Sequence, residues 1–116
     1  MQRGEIWFVS LPFSSDREQS GERPAVVLQD AVYGQKSPLV LIALLTSQQT
    51  ALRFPGTVLV LPSPTNGLAL PSVAMVFQTR ALDRIRFRRK VGDIEPAHRQ
   101  EITDELQRLV GLLPRP

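Results

Sequence analysis

The sequence predicts a mainly β protein, about six short strands bent into a small barrel or strongly curved sheet, with one helix at the C-terminus. Three observations carry this reading. Short apolar runs between Glu5 and Gly92 alternate with a period of two. Turns bearing proline, glycine, asparagine and serine separate those runs. From Pro96 onward the apolar period changes to 3.6. At 116 residues the chain is expected to form one domain, residues 1–116, around a single core.

Taken in order, Glu5–Leu11 reads as a strand with Ile6, Phe8 and Ser10 on one side and Trp7, Val9 and Leu11 on the other. Both faces are largely apolar, so both should be covered. Pro12 stops the strand, and the polar stretch from Phe13 to Glu22 is expected to be an exposed, mobile loop. Ala25–Gln29 is a second strand, introduced by Pro24, which suits only a first or edge position. A turn through Tyr33, Gly34 and Ser37 leads to Leu39–Thr46, seven aliphatic residues followed by Thr46-Ser47-Gln48. Such a run marks a central strand whose polar end emerges at a rim.

Thr57–Leu61 is a fourth strand, and the Pro62–Pro71 connection, with Asn66 and Gly67, is rich in turn residues. Ser72–Gln78 is a fifth strand with two apolar faces, and Arg80–Ile85 reads as a turn or single helical turn. Arg86–Gly92 alternates again, placing Phe87 and Val91 opposite Arg86, Arg88 and Lys90. The helix carries Ile102, Leu106, Leu109, Val110 and Leu113 as one stripe, with Pro96 at its first position and Pro114 as its stop.

Composition excludes several chemistries. Without cysteine there is neither a disulfide framework nor a thiolate metal site. The single histidine, His98, suits a solvated surface; with one copy and no cysteine a metal centre built on histidine is not expected, and a two-histidine ribonuclease is excluded. No metal or cofactor is expected. Neither a phosphate-binding glycine loop nor a strand–turn–helix nucleophile elbow is present. The longest aliphatic run is far below the roughly 18 residues of a membrane span, and the charged N-terminus is wrong for a secretory signal. A cytoplasmic protein without membrane contact is expected.

A net charge of +3 and a pI near 10.2 are compatible with nucleic acid. Arg80, Arg84, Arg86, Arg88, Arg89 and Lys90 crowd into eleven positions, which is either a solvated strand face or a phosphate track. The chemistry-bearing residues near loop and strand ends are Glu18, Arg23, Thr46, Ser47, Gln78, Arg80 and Asp83. Arg23, delivered by a loop directly onto Pro24, suits phosphate because its planar guanidinium fork matches phosphate oxygens.

The opening RGEIWFVSL, the loop-to-strand EQSGERPAVVLQD, the strand SPLVLIALLTSQ and the late SVAMVFQTRALD resemble, in order, the signatures of the MazF/PemK family of toxin endoribonucleases. The resemblance covers nearly the whole chain. It implies an SH3-like barrel, a homodimer, and metal-independent, sequence-specific cleavage of single-stranded RNA in which the 2′-hydroxyl attacks the adjacent phosphate. It also implies a cognate antitoxin whose acidic, partly disordered segment folds onto the basic surface. The family's catalytic arginine falls on Arg23 and its threonine on Thr46, and its RNA-contacting loop glutamate falls on Glu18. The late Gln-x-Arg falls on Gln78 and Arg80, and Gln19, Ser47 and Gln48 flank these positions as further substrate contacts.

In this reading Arg23 stabilises charge growing on the phosphate and Thr46 donates a neutral hydrogen bond. Guanidinium is a poor proton carrier, so proton transfer stays unassigned. Where relatives commonly carry an acidic residue, this chain has Phe77, a change that concerns base preference or dimer packing. Some members use a late arginine and aspartate catalytically. Arg80 and Asp83 stand there, with an i,i+3 ion pair as the alternative. Trp7 and the late strand are candidates for an apolar dimer interface. Two other functions fit the same fold: a DNA gyrase poison like the CcdB relatives, and an RNA-binding module without turnover. The Arg23 loop and the TSQ strand end favour the nuclease.

Overall fold

The structure is a computed structural model that describes residues 1–11 and 22–115; the expected loop lies outside them except for Glu22, and Glu18 and Gln19 fall outside with it. Seven strands and two helices follow one another as β1 (Glu5–Ser10), β2 (Glu22–Val27), α1 (Ala31–Gly34), β3 (Leu39–Thr46), β4 (Thr57–Val60), β5 (Ser72–Met75), β6 (Arg80–Asp83), β7 (Phe87–Asp93) and α2 (Pro96–Leu109). All pairings are antiparallel, in the order β4-β5-β3-β2-β1-β7, with β6 also on β3. The fold is thus mainly β with a C-terminal helix, and its sheet does not close hydrogen bond by hydrogen bond into a barrel among the described residues.

β3 organises the molecule, because from Ile42 to Leu45 its alternating side chains are buried on both faces. Ala43 and Leu45 point into a core with Ile6, Val26, Val58, Val60 and Val76, against which Ile102 and Leu106 of α2 pack. Val40, Ile42 and Leu44 point the other way, to Val9, Ala25, Val27 and Leu82, with Trp7 and Phe87 at the margin. As the alternation in β1 predicts, Ile6 and Val9 serve opposite cores. Trp7 is half-buried, edge-on to Phe87 at 6.1 Å, and its indole N–H donates to Glu5 at 2.9 Å.

Four sequence expectations need correction. β2 begins at Glu22, not Ala25, so Pro24 lies inside the strand. The turn after it contains α1, a short helix started by Asp30, whose carboxylate accepts from the Val32 N–H at 2.9 Å. The fifth strand ends at Met75, where a 3-10 turn over Val76–Gln78 redirects the chain; Thr79 closes it with both its N–H and its hydroxyl on the Val76 carbonyl. The chain then forms β6 against Leu39–Ile42 instead of a turn. Pairing with β3 alone, it buries only Leu82, too little for a readable apolar pattern.

The helix also uses less of its stripe than the period suggests. Ile102 and Leu106 pack on the core, whereas Leu109 and Val110 are exposed. Gly111, at φ +79°, ends the helix before Pro114 is reached, because a left-handed residue lets the Leu112 N–H turn back to the Gln107 carbonyl at 2.7 Å.

Candidate active site

The site grows from a fork in the sheet. β2 and β3 are laddered from Ala25↔Leu44 to Val27↔Ile42, but beyond that point β3 leaves β2 and pairs with β5 through Leu45↔Ala74 and Thr46↔Val73. The fork opens at Pro24, which has no N–H with which to extend a ladder. Arg23 and Pro24 form one prong, and Leu45 and Thr46 the other. Between them lies a cleft of about 620 Å³, lined also by Ser47, Gln48, Phe8, the Gly67–Leu70 segment and Arg89–Val91. Arg23 is half-buried and held by its register opposite Val9 of β1. The Thr46 hydroxyl oxygen accepts the Gln48 N–H at 3.2 Å, which leaves the hydroxyl proton available for a ligand.

One wall of the cleft is a built loop. Asn66 is fully buried, and its side-chain oxygen accepts the N–H groups of Ser63 and Leu68, each at 3.0 Å. Its amide donates to the Leu61 carbonyl at 2.9 Å and to the Glu95 carboxylate at 3.1 Å. The Ser63 hydroxyl also donates to Glu95, while its oxygen accepts the Asn66 N–H at 3.1 Å. Burial opposes ionisation of Glu95, yet hydrogen bonds from Ser63, its own backbone and Asn66 outweigh it and hold the carboxyl below its ordinary value. The Asp93 N–H bonds to the Thr65 carbonyl at 2.9 Å, tying the loop to β7. Its close approach leaves no room for a side chain at Gly92.

The facing wall comes from β7, whose alternation with β1 is broken twice. The register runs Ile6↔Gly92, Trp7↔Lys90, Phe8↔Arg89 and Val9↔Phe87, so Val91 and Arg88 are extra residues. These bulges bring Arg89, Lys90 and Val91 to the cleft together, which strict alternation does not predict. The Arg89 guanidinium lies 4.3 Å from the Phe8 ring centroid. Lys90 lies 3.2 Å from Asp93 and 3.5 Å from Glu5. Hydrogen bonding to Asp93 and the charge of Glu5 raise its pKa, so it remains cationic. For Glu5 burial is opposed and outweighed by the Trp7 N–H, a backbone hydrogen bond and Lys90, leaving its pKa lowered.

The basic run is therefore not one track. Arg84 is spent on the Ser37 carbonyl at 3.0 Å and on the Gly34 carbonyl, and Arg88 reaches the Ile85 carbonyl at 2.8 Å. Of the expected site residues, Arg23, Thr46, Ser47 and Gln48 meet in the cleft. Gln78 and Arg80 do not line it. The 3-10 turn after β5 carries them to the stretch where Arg80 pairs with Ile42, four residues before Thr46 on β3. Asp83 makes no ion pair with Arg80; its carboxylate caps a 3-10 turn by accepting the Ile85 N–H at 3.0 Å. Phe77 stacks on Phe54 at 5.6 Å, outside the cleft lining. Arg89 and Lys90 were visible only as members of the basic run, whereas Phe8 and the Asn66 loop are the contributors that sequence reasoning missed. For the loop, Asn66-Gly67 after two prolines was the visible signal, and it reads as an ordinary turn.

Fold and cleft define a small β-rich protein with a cationic groove where its central strands part. Residues 2–110 match the family described as PemK-like, MazF-like toxin of type II toxin–antitoxin system, and the chain belongs to that family. It is 26% identical over 113 residues to the endoribonuclease EndoA of Bacillus subtilis, covering 97% of each chain. To the endoribonuclease MazF of Staphylococcus saprophyticus it is 28% identical over 112 residues, 97% of this chain and 92% of that one. The crystal structure of MazF from Deinococcus radiodurans superposes with a TM-score of 0.76 at 26% identity, covering 96% of both chains. A MazE–MazF complex from the same organism gives 0.78 at 25%, covering 97% of this chain and 96% of that one. No helix among the described residues is long and apolar enough to cross a membrane.

Proposed function

We propose that this chain is a toxin whose residues 1–116 act as one domain, a metal-independent endoribonuclease that cleaves single-stranded RNA at short sequences and so blocks translation and growth. The observation that carries the reading is the fork that sets Arg23 and Thr46 on opposite prongs of one cleft. The relatives' endoribonuclease names support the same activity here. Attack by the 2′-oxygen on the neighbouring phosphorus forms one P–O bond and breaks the bond to the 5′-oxygen, leaving a 2′,3′-cyclic phosphate and a 5′-hydroxyl. The 2′-hydroxyl proton leaves and the departing oxygen gains one. Arg23 bears on the non-bridging oxygens, where charge grows, and the Thr46 hydroxyl donates to the same group. Ser47 and Gln48 hold the substrate at the rim, with Glu18 and Gln19 contributing from the preceding loop. The assignment of Gln78 and Arg80 to substrate rests on the resemblance alone.

The working unit is a cytoplasmic homodimer controlled by a cognate antitoxin; the MazE–MazF complex of Deinococcus radiodurans supports the antitoxin part of this reading. Mixed-sequence single-stranded RNA incubated with the protein in EDTA, with fragment ends mapped, tests the chemistry. Cyclic phosphate and 5′-hydroxyl ends are expected, and the Arg23→Ala variant should lose about 100- to 1,000-fold in rate. Cleavage abolished by chelator, or retained in full by Arg23→Ala, refutes the mechanism. Intact RNA together with inhibited gyrase supercoiling would replace it with the gyrase reading.

A further inference from the structure

We infer that Phe8 and Arg89 form a nucleobase-stacking subsite beside the Arg23–Thr46 pair; this rests on the RNA-binding reading above and adds a residue-level account of how the cleft grips a nucleotide. The cleft is far larger than a phosphate alone requires, and its lining changes character along its length. Hydroxyl and guanidinium groups stand at the fork. Across the sheet from them runs a row of directly opposed residues, Pro24 on β2, Phe8 on β1 and Arg89 on β7. That row offers flat, apolar surface next to the phosphate-gripping end.

Arg89 is there by construction. The bulge at Arg88 shifts the β7 register so that Arg89 falls opposite Phe8 and its guanidinium settles 4.3 Å from the ring centroid. Among the described residues the Arg89 side chain makes no hydrogen bond or ion pair, whereas those of its neighbours Arg88 and Lys90 do. A carboxylate partner would occupy the donor fork and cancel the charge. An aromatic face instead fixes the plane of the guanidinium while leaving its charge for an anionic ligand. Unpaired bases stack on aromatic rings and on arginine planes, and the pair presents both. The base neighbouring the scissile phosphate is the part of the substrate that this geometry suits.

The test compares an oligonucleotide carrying the mapped cleavage sequence with a series in which each nucleotide flanking the scissile phosphate is made abasic. Wild type, Phe8→Leu, Phe8→Trp and Arg89→Gln are assayed on all of them, with thermal melts to follow folding; Arg89 is exposed, so Arg89→Gln should fold normally. Phe8→Leu and Arg89→Gln are each expected to lower kcat/KM on the intact oligonucleotide roughly 5- to 100-fold, and Phe8→Trp to retain it. Removing one particular flanking base should cost the wild type a similar factor and cost the two defective variants nothing more. Equal losses for wild type and variants at every abasic position overturn the subsite. A loss in Arg89→Gln that persists on every abasic substrate, with a weaker salt dependence, makes Arg89 a phosphate contact instead. If the wild type binds single-stranded RNA without cutting it, dissociation constants from fluorescence anisotropy for a bound oligonucleotide and its single-abasic series give the same comparison. The cleavage reading then fails separately from the subsite, and absence of any RNA binding overturns both.

Discussion

Replacing Asn66 with alanine removes the centre of the loop that walls the cleft, and the cost follows from its partners. Asn66 is 0% exposed and bonds to Ser63, Leu68, Leu61 and Glu95. Truncation leaves the Ser63 and Leu68 N–H groups and the Leu61 carbonyl without partners. Losing its partner costs roughly 1–3 kcal/mol for a buried group such as the Leu68 N–H, and less for the part-buried Ser63 N–H and Leu61 carbonyl, which water can reach. A net loss of about 2–4 kcal/mol is expected, a large share of the roughly 5–15 kcal/mol that stabilises a typical domain. Urea unfolding should show the midpoint falling with little change in slope. A loss below about 1 kcal/mol would refute the view that these hydrogen bonds hold the wall. Asn66→Asp sharpens the test: it keeps the acceptor but sets a carboxylate against Glu95. Its deficit at neutral pH should match or exceed that of alanine and shrink toward acid, as a shared proton relieves the repulsion.

Three further outcomes follow from the same geometry. Because the Glu95 pKa is lowered in the fold, its contribution is fully present above the ordinary carboxylate value and is lost as pH falls through the folded value. Urea unfolding from pH 7 toward pH 3 should therefore show a shallower acid loss in Glu95→Gln than in wild type, though Glu5, shifted the same way, preserves part of the slope; identical slopes would contradict this. In Gly92→Ala the new Cβ would stand 2.5 Å from the carbonyl oxygens of both Thr65 and Asn66, so about 1–3 kcal/mol should be lost and the melting temperature should drop by several degrees. An unchanged melting temperature would show that the loop yields freely. Thr46→Val keeps the shape but removes the hydroxyl, and RNA cleavage should fall roughly 10- to 100-fold while Thr46→Ser retains most of it. Equal rates for Val and Ser would exclude the hydroxyl as a donor.

Much of the fold was legible because strand alternation is a local signal. Leu39–Thr46 reads directly as the central strand, since its apolar run has no break and both faces of β3 are buried over Ile42–Leu45. Pro96 marks the start of α2, and Ile102 and Leu106 mark its packed face. β6 escaped because one buried leucine makes no pattern. The outward turn of Leu109 and Val110 escaped because periodicity says that a face is apolar, not what lies against it.

The sequence by itself determined the alternating strands, the arginine before Pro24, the threonine after the aliphatic run, and the family resemblance that four segments in register carry. Each of these is written within a few neighbouring residues. Only the tertiary structure decided which strand ends meet: that β3 parts from β2 at Pro24, that two bulges turn Arg89 and Lys90 into the cleft, that Asn66 builds a wall, and that Gln78 and Arg80 lie elsewhere. A bulge or a fork depends on the register of a partner strand dozens of residues away. No local period records that, so the scaffold can be read along the chain while the composition of the cleft cannot.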